Sequence, residues 1–226
     1  MAAGPSRGGG RLRQVGAARR VGPMVDPEGA AGRAYGALAA ELSALAPSCG
    51  PVRLVAVDGH AGSGKTTFAG RLATALGGAP VVHLDDLATH AEPFGWVGRL
   101  RGQVLEPLAR GEQAVHLVYD WTARRFATER AVPAAPVVLI EGVGAGRREL
   151  RPWLARLVWM ELDAPEARAR GELRDGPALA EFWAGWARAE QAHFRADPSR
   201  PSADLRVDGV TGAVIFRRSG KVASHP

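Results

Sequence analysis

Gly59-His60-Ala61-Gly62-Ser63-Gly64-Lys65-Thr66 is the stretch that decides the reading of this chain. It fits the pattern G-x-x-x-x-G-K-[ST] in full. An apolar run, Val52-Arg53-Leu54-Val55-Ala56-Val57, precedes it. A segment with Phe68, Leu72 and Leu76 at helical spacing follows. Strand, glycine loop and helix in that order are the context a phosphate-binding loop requires. The glycines let backbone N–H groups turn inward around a phosphate. The start of the helix adds its partial positive charge. Lys65 can reach the β- and γ-phosphates, and the Thr66 hydroxyl can ligate Mg²⁺. The expected nucleotide-binding residues are Gly59, Ala61, Gly62, Ser63, Gly64, Lys65, Thr66 and Thr67, with ATP and Mg²⁺ as cofactors.

Working outward, the rest of the chain alternates strand and helix. Strands are expected at 52–57, 81–84, 115–118, 137–140 and 157–162, with a weaker one at 205–207. Helices are expected at 30–46, 67–77, 98–110, 148–156, 164–174 and 177–195. Alternation of this kind predicts an α/β fold with a parallel sheet covered by helices on both faces. No internal repeat and no second domain is visible. Residues 29–215 form one domain in this reading, and 216–226 a C-terminal tail.

Length and charge agree with one domain. The chain has 226 residues, 46% hydrophobic and 23% charged, which excludes a wholly disordered protein. The net charge of +6 is concentrated in the first residues. Arg7, Arg11, Arg13, Arg19 and Arg20 precede any acid, and the remainder is nearly balanced. Residues 1–28 read as a disordered basic tail. The tail is an extension upstream of a start at Met24, a solvated segment, or a weak anion-binding arm. A nucleic-acid role is not supported by the folded part. No run of 18 apolar residues exists, so no membrane span is expected. Cys49 is the single cysteine, which excludes an intramolecular disulfide and points to a cytoplasmic setting.

A phosphate loop alone means only that a nucleoside triphosphate binds. The sole lysines are Lys65 and Lys221, so the guanine-reading Asn-Lys-x-Asp motif of GTPases is absent. The second strand ends in His83-Leu84-Asp85-Asp86-Leu87. Carboxylates at the C-terminal end of a parallel strand face the binding crevice. Asp85 can therefore take the proton of an attacking hydroxyl or hold a metal-bound water. Helix capping is the competing role for both acids. Val137-Val138-Leu139-Ile140-Glu141-Gly142 is a buried strand ending in an acid, which places Glu141 near the metal. Tyr119, Asp120, Trp121 and Arg124 follow a strand and offer stacking faces and polar groups to a substrate. Arg168, Arg170 and Arg174 lie on the helix after the fifth strand. From a mobile lid they can neutralise a transferring phosphoryl group. The face carrying Phe182, Trp183, Trp186, Glu190 and His193 reads chiefly as core packing.

Taken together, these segments resemble the uridine kinase family of P-loop kinases, over about residues 50–210. Leu84-Asp85-Asp86-Leu87 is similar to the family's strand-end Asp segment. Tyr119-Asp120-Trp121 is similar to its Tyr-Asp-Phe motif, and Ile140-Glu141-Gly142 to its Glu-Gly motif. Residues 170–175 resemble its arginine-rich lid, and 194–207 its Phe…Pro…Ala-Asp segment. The resemblance implies a five-stranded parallel sheet and Mg-ATP-dependent transfer to the 5′-hydroxyl of a nucleoside. It implies Asp85 as general base, Thr66 and Glu141 serving Mg²⁺, and Tyr119 holding the base. It also implies Arg168, Arg170 or Arg174 acting from the lid, and a homo-oligomer. The acceptor side departs from the family: Leu87-Ala88 replaces an aromatic pair, Phe94-Gly95-Trp96-Val97-Gly98 replaces a ribose-contacting segment, and Arg124 stands near the position of a histidine. An acidic or already phosphorylated acceptor would suit that arginine. A rival reading is an ATP-binding regulatory protein with little catalysis, and a third is a kinase of an antibiotic or other metabolite.

Overall fold

The computed structural model describes residues 27–218, so the expectations for the terminal tails lie almost wholly outside the described residues. Eight strands and six helices follow in chain order: α1 (Pro27–Ser43), β1 (Arg53–Gly59), α2 (Lys65–Ala75), β2 (Val81–His83), α3 (Val97–Leu100), α4 (Glu106–Ala109), β3 (Ala114–Asp120), β4 (Arg125–Val132), β5 (Val137–Glu141), β6 (Arg156–Glu161), α5 (Ala164–Asp175), α6 (Ala180–Ala196), β7 (Leu205–Asp208) and β8 (Val214–Arg217). The main sheet has the order β2-β5-β1-β6-β7-β8. Its first five members run parallel, as the sequence predicts. β8 adds a sixth, antiparallel strand at the edge, and it extends the domain to Arg217.

Both faces of the sheet are buried because both sets of alternating side chains on β1 are apolar. Leu54 and Ala56 point into a layer with Leu100, Val104, Leu105 and Leu108. Val55 and Val57 point into the opposite layer with Leu38 and Leu42 of α1 and Phe68 and Leu72 of α2. Such strands can lie only in the middle of a sheet covered twice. Their carboxyl ends then converge on one edge, where β1 runs into the glycine loop and β5 ends at Glu141.

Three expectations are corrected. The strand expected at 115–118 exists as β3 but is not in the parallel sheet. It pairs antiparallel with β4 in a separate two-stranded sheet. β4 carries Arg125, Glu129 and Arg130 and is mostly exposed, so it lacks the apolar run that marks a buried strand. The helix expected at 148–156 is a single 3-10 turn, Arg151–Trp153, with Pro152 inside it. The helix expected at 98–110 is interrupted by a π-helical turn, Arg101–Leu105. Pro107 supplies no N–H to the carbonyl of Gln103, and the wider turn absorbs that loss. Gln103 Oε1 then accepts the N–H of Leu117 at 3.0 Å, which ties the hairpin to this segment.

Among the described residues no helix is long and apolar enough to cross a membrane. Cys49 is buried, and burial pushes its thiol up to about 11, so it is chemically quiet.

Candidate functional site

The glycine loop closes the way its sequence requires. Gly64 is the left-handed N-cap of α2, with φ 92°. The first turn of α2 holds no acid, which leaves the positive end of the helix available to an anion. Gly62 has φ 87°, and a Cβ there would stand 2.0 Å from the Ala167 carbonyl oxygen of α5. Only glycine lets the loop and α5 approach so closely. Lys65 folds over the loop. Its Nζ donates to the Gly59 carbonyl at 3.0 Å and to the His60 carbonyl at 2.8 Å.

Asp58 anchors the loop from beneath. It is fully buried, and sequence reasoning missed it because it falls between the apolar run ending at Val57 and the loop motif beginning at Gly59. Its Oδ1 accepts the N–H groups of Gly59 at 2.7 Å and Gly144 at 2.8 Å. Its Oδ2 accepts the N–H of Gly146 at 2.8 Å. Three donors satisfy a carboxylate that burial would otherwise penalise. The loop after β1 and the loop after β5 are thereby one unit.

At the end of β5, Glu141 is buried and its Oε1 accepts from the Thr66 hydroxyl at 3.0 Å. The same oxygen faces His83 Nδ1 at 2.6 Å. Burial pushes the Glu141 carboxyl up, but His83, Lys65 and Thr66 together bring it below the usual carboxylate range. His83 is raised in return, chiefly by its hydrogen bond to Glu141. Glu141 is thus ionised beside a hydroxyl, a pair of hard oxygen donors. Among the described residues no three or more His, Cys, Asp or Glu side chains form a metal-holding group. An ion bound at Thr66 and Glu141 must complete its shell with phosphate and water oxygens, which is how Mg²⁺ binds in nucleotide sites.

Two cavities meet at Asp85. The first, of about 270 Å³, is the phosphate cavity, lined by Gly62, Gly64, Lys65, Thr66, Thr67 and Glu141, with Arg170 and Arg174 reaching in from α5. The second, of about 410 Å³, is walled by His90, Trp121, Phe182, Trp183 and Trp186. Ala61, Asp85, Arg174 and Trp186 line both. Asp85 has surface open to the crevice. The crevice walls and then the charge of Glu141 push its carboxyl above the usual range, against the pull of Lys65 and His83. The aromatic cavity continues outward into a third, where Arg124 stands beside His90, Trp121 and Phe182.

The expected substrate residues divide. Trp121 and Arg124 line the cavities, and Trp121 Nε1 also donates to the Asp85 carbonyl at 3.2 Å. Arg124 sits at the hairpin tip with φ 53°. The other four lie outside all three cavity linings. Asp86 pairs with Arg130 of β4 at 2.5 Å. Asp120 accepts the N–H groups of Thr122 and Ala123 and so builds the hairpin turn. Tyr119 is buried behind the wall and holds His90 Nδ1 at 3.1 Å. Arg168 pairs with Glu172 one turn along the exposed side of α5. Arg170 NH1 donates to the Gly209 carbonyl, and Arg174 chelates Asp175.

Besides Asp58 and His90, the sequence reading missed residues on α6. Phe182, Trp183 and Trp186 wall the aromatic cavity rather than a sealed core. Gly171 lets α5 and α6 touch, since a Cβ there would lie 2.2 Å from the Trp183 ring. The available signal was Glu190 and His193 continuing the same face, because a buried core stripe rarely carries acids and histidines.

The sequence matches no protein-family profile and no curated protein. Solved structures do match in fold. One is described as a possible uridine kinase from Bacillus stearothermophilus, with 22% identity and a TM-score of 0.56, covering 78% of this chain and 98% of the other. Another, a candidate fructose transport system kinase from Silicibacter sp. TM1040, has 24% identity and a TM-score of 0.47 over 71% of this chain and 88% of the other. The chain shares the fold of the first of these structures.

Proposed function

We propose that this protein is an ATP-dependent kinase that transfers the γ-phosphate to a hydroxyl of a small molecule, with a nucleoside as the first acceptor class to test. One observation carries the reading: Asp85, its carboxyl raised, lines both the phosphate cavity and the aromatic cavity. A general base belongs at that junction, within reach of a hydroxyl in one cavity and a phosphorus in the other. A protein built only to bind ATP has no use for it.

The loop amides and the start of α2 hold the β-phosphate, and Lys65 moves from its loop carbonyls to the β- and γ-oxygens. Thr66 and Glu141 would hold Mg²⁺, which would neutralise the phosphate charge. Asp85 orients the acceptor hydroxyl and takes its proton. The hydroxyl oxygen bonds to the γ-phosphorus as the bond to the β,γ-bridging oxygen breaks and ADP departs. Arg170 and Arg174 neutralise charge on the transferring group. The rings of Trp121, Phe182, Trp183 and Trp186 exclude water, which keeps transfer ahead of hydrolysis. A planar base fits between such rings, and an acidic substituent on it meets Arg124.

The test is ADP release from Mg-ATP against nucleosides, nucleotides and hydroxylated metabolites, with the product identified by mass. A phosphorylated acceptor is the expected result. ATP binding with no product from any acceptor favours the regulatory binder instead.

A further inference from the structure

The peptide unit joining His60 to Ala61 is gripped at both ends by a charge. Its carbonyl, on His60, accepts from Lys65 Nζ at 2.8 Å. Its N–H, on Ala61, donates to Glu190 Oε1 at 2.7 Å. The other oxygen of Glu190 meets His60 Nδ1 at 3.1 Å, so the side chain of the same residue is held too. Glu190 lies on α6, 129 residues along the chain from Ala61, and is only 8% exposed. The His60 ring is itself packed edge-on against Trp159 and Phe194, with centroids 5.6 and 5.1 Å away.

The two grips have different fates in the reading of the loop as a nucleotide site, on which this inference rests. Lys65 has to leave the His60 carbonyl to reach the phosphates. The peptide then keeps the Ser63 N–H on the His60 carbonyl at 3.0 Å, within the loop, and the Glu190 grip on the Ala61 N–H, which comes from α6. Glu190 is not itself in the lining of the phosphate cavity; it holds Ala61, which is, from behind. We infer that Glu190 is a positioning residue for the phosphate loop, holding the His60–Ala61 peptide plane in place once Lys65 has turned to the nucleotide. A hydrogen bond to a buried side-chain oxygen can do this, and an amide N–H left unpaired under α6 is costly. The arrangement has a second effect. Trp186, one turn before Glu190, lines both cavities, so one rigid helix carries the acceptor wall and the grip on the loop.

The test is calorimetric binding of Mg²⁺ with a non-hydrolysable ATP analogue to the full chain. Glu190→Leu and Glu190→Ala remove the acceptor and fill the space differently. Glu190→Gln keeps an oxygen for the Ala61 N–H. On the order of tenfold weaker binding is expected for both truncations, with Gln within about threefold of the parent. Parent-like binding by either truncation overturns the inference. So does a Gln variant as weak as the truncations, since charge rather than the peptide grip would then be responsible. Truncations that melt well below the parent before nucleotide is added make Glu190 a residue of the fold and overturn it as well. If the parent chain binds no nucleotide, the function proposed above fails first, and this inference with it.

Discussion

The phosphate cavity and the aromatic cavity are built by opposite means. Around the phosphate loop nearly every polar group has a partner inside the protein: Asp58 with three backbone amides, Lys65 with two carbonyls, Glu141 with Thr66 and His83, Glu190 with the loop itself. The aromatic cavity is walled by rings from three segments and opens outward to solvent-exposed Arg124. A phosphate offers the same oxygens whatever molecule carries it, so a fixed set of amides suffices to bind it. An acceptor is recognised by its own shape, and stacked rings with a polar rim can be retuned without touching the sheet.

The sharpest way to break that division is at Asp85, which belongs to both cavities. Asp85→Asn keeps the size of the side chain and removes the base. Turnover is expected to fall by about 10² to 10⁴ while the affinity for Mg-ATP changes little. Unchanged turnover would strip Asp85 of its role. The parent enzyme gives a second reading of the same group. A base works when deprotonated, and burial raises this carboxyl. The acid limb of kcat/KM against pH should therefore lie above the ordinary aspartate value of 3.8 and disappear in the Asn variant. An acid limb at or below that value would mean that Asp85 is not the titrating group.

Next in size is Gly62→Ala. Its Cβ would collide with backbone on α5, and its φ of 87° suits glycine alone. A loss of about 1 to 3 kcal/mol in stability is expected, read as a lower melting temperature, along with weaker ATP binding. Trp121→Ala should do the reverse. It removes one wall of the acceptor cavity, so the acceptor KM should rise about tenfold with ATP affinity preserved. If ATP affinity fell equally, the two cavities would not be separable.

The same division explains what the sequence made legible. The loop, β1 and the acid ending β5 announce themselves because phosphate binding ties residue type to short spacing. The parallel strands were legible because a strand buried on both faces must be apolar throughout. β4 was not, since a strand with Arg125, Glu129 and Arg130 on exposed faces looks like a loop, and β8 was not, since its apolar run is only Val214, Ile215 and Phe216. The wall of the aromatic cavity joins Phe182, Trp183 and Trp186 of α6 to His90 and Trp121, which no local spacing connects to that helix. Asp86, Asp120 and Arg168 illustrate the other side of this. Each has the right chemistry at a plausible position, yet each is taken up by a nearer partner, Arg130, the hairpin amides and Glu172. Glu190 was hidden for the opposite reason, since its partner lies over a hundred residues away.

The smallest effect, and the one that refines the acceptor, is at Arg124. It is exposed at the rim of the outer cavity, so an ion pair formed there is weakened by water and salt. Arg124→Ala should leave a neutral acceptor such as uridine unaffected. It should raise the KM of a matched acceptor bearing a carboxylate on its base by about threefold at low salt, an effect that shrinks as salt is added. The hairpin tip supplies the mechanism, since Asp120 fixes the turn and the left-handed conformation of Arg124 sets the direction of its side chain. An equal change for both acceptors would assign Arg124 to the shape of the rim. A change confined to the acidic one would assign it to charge recognition, and would set the acceptor of this chain apart from a plain nucleoside.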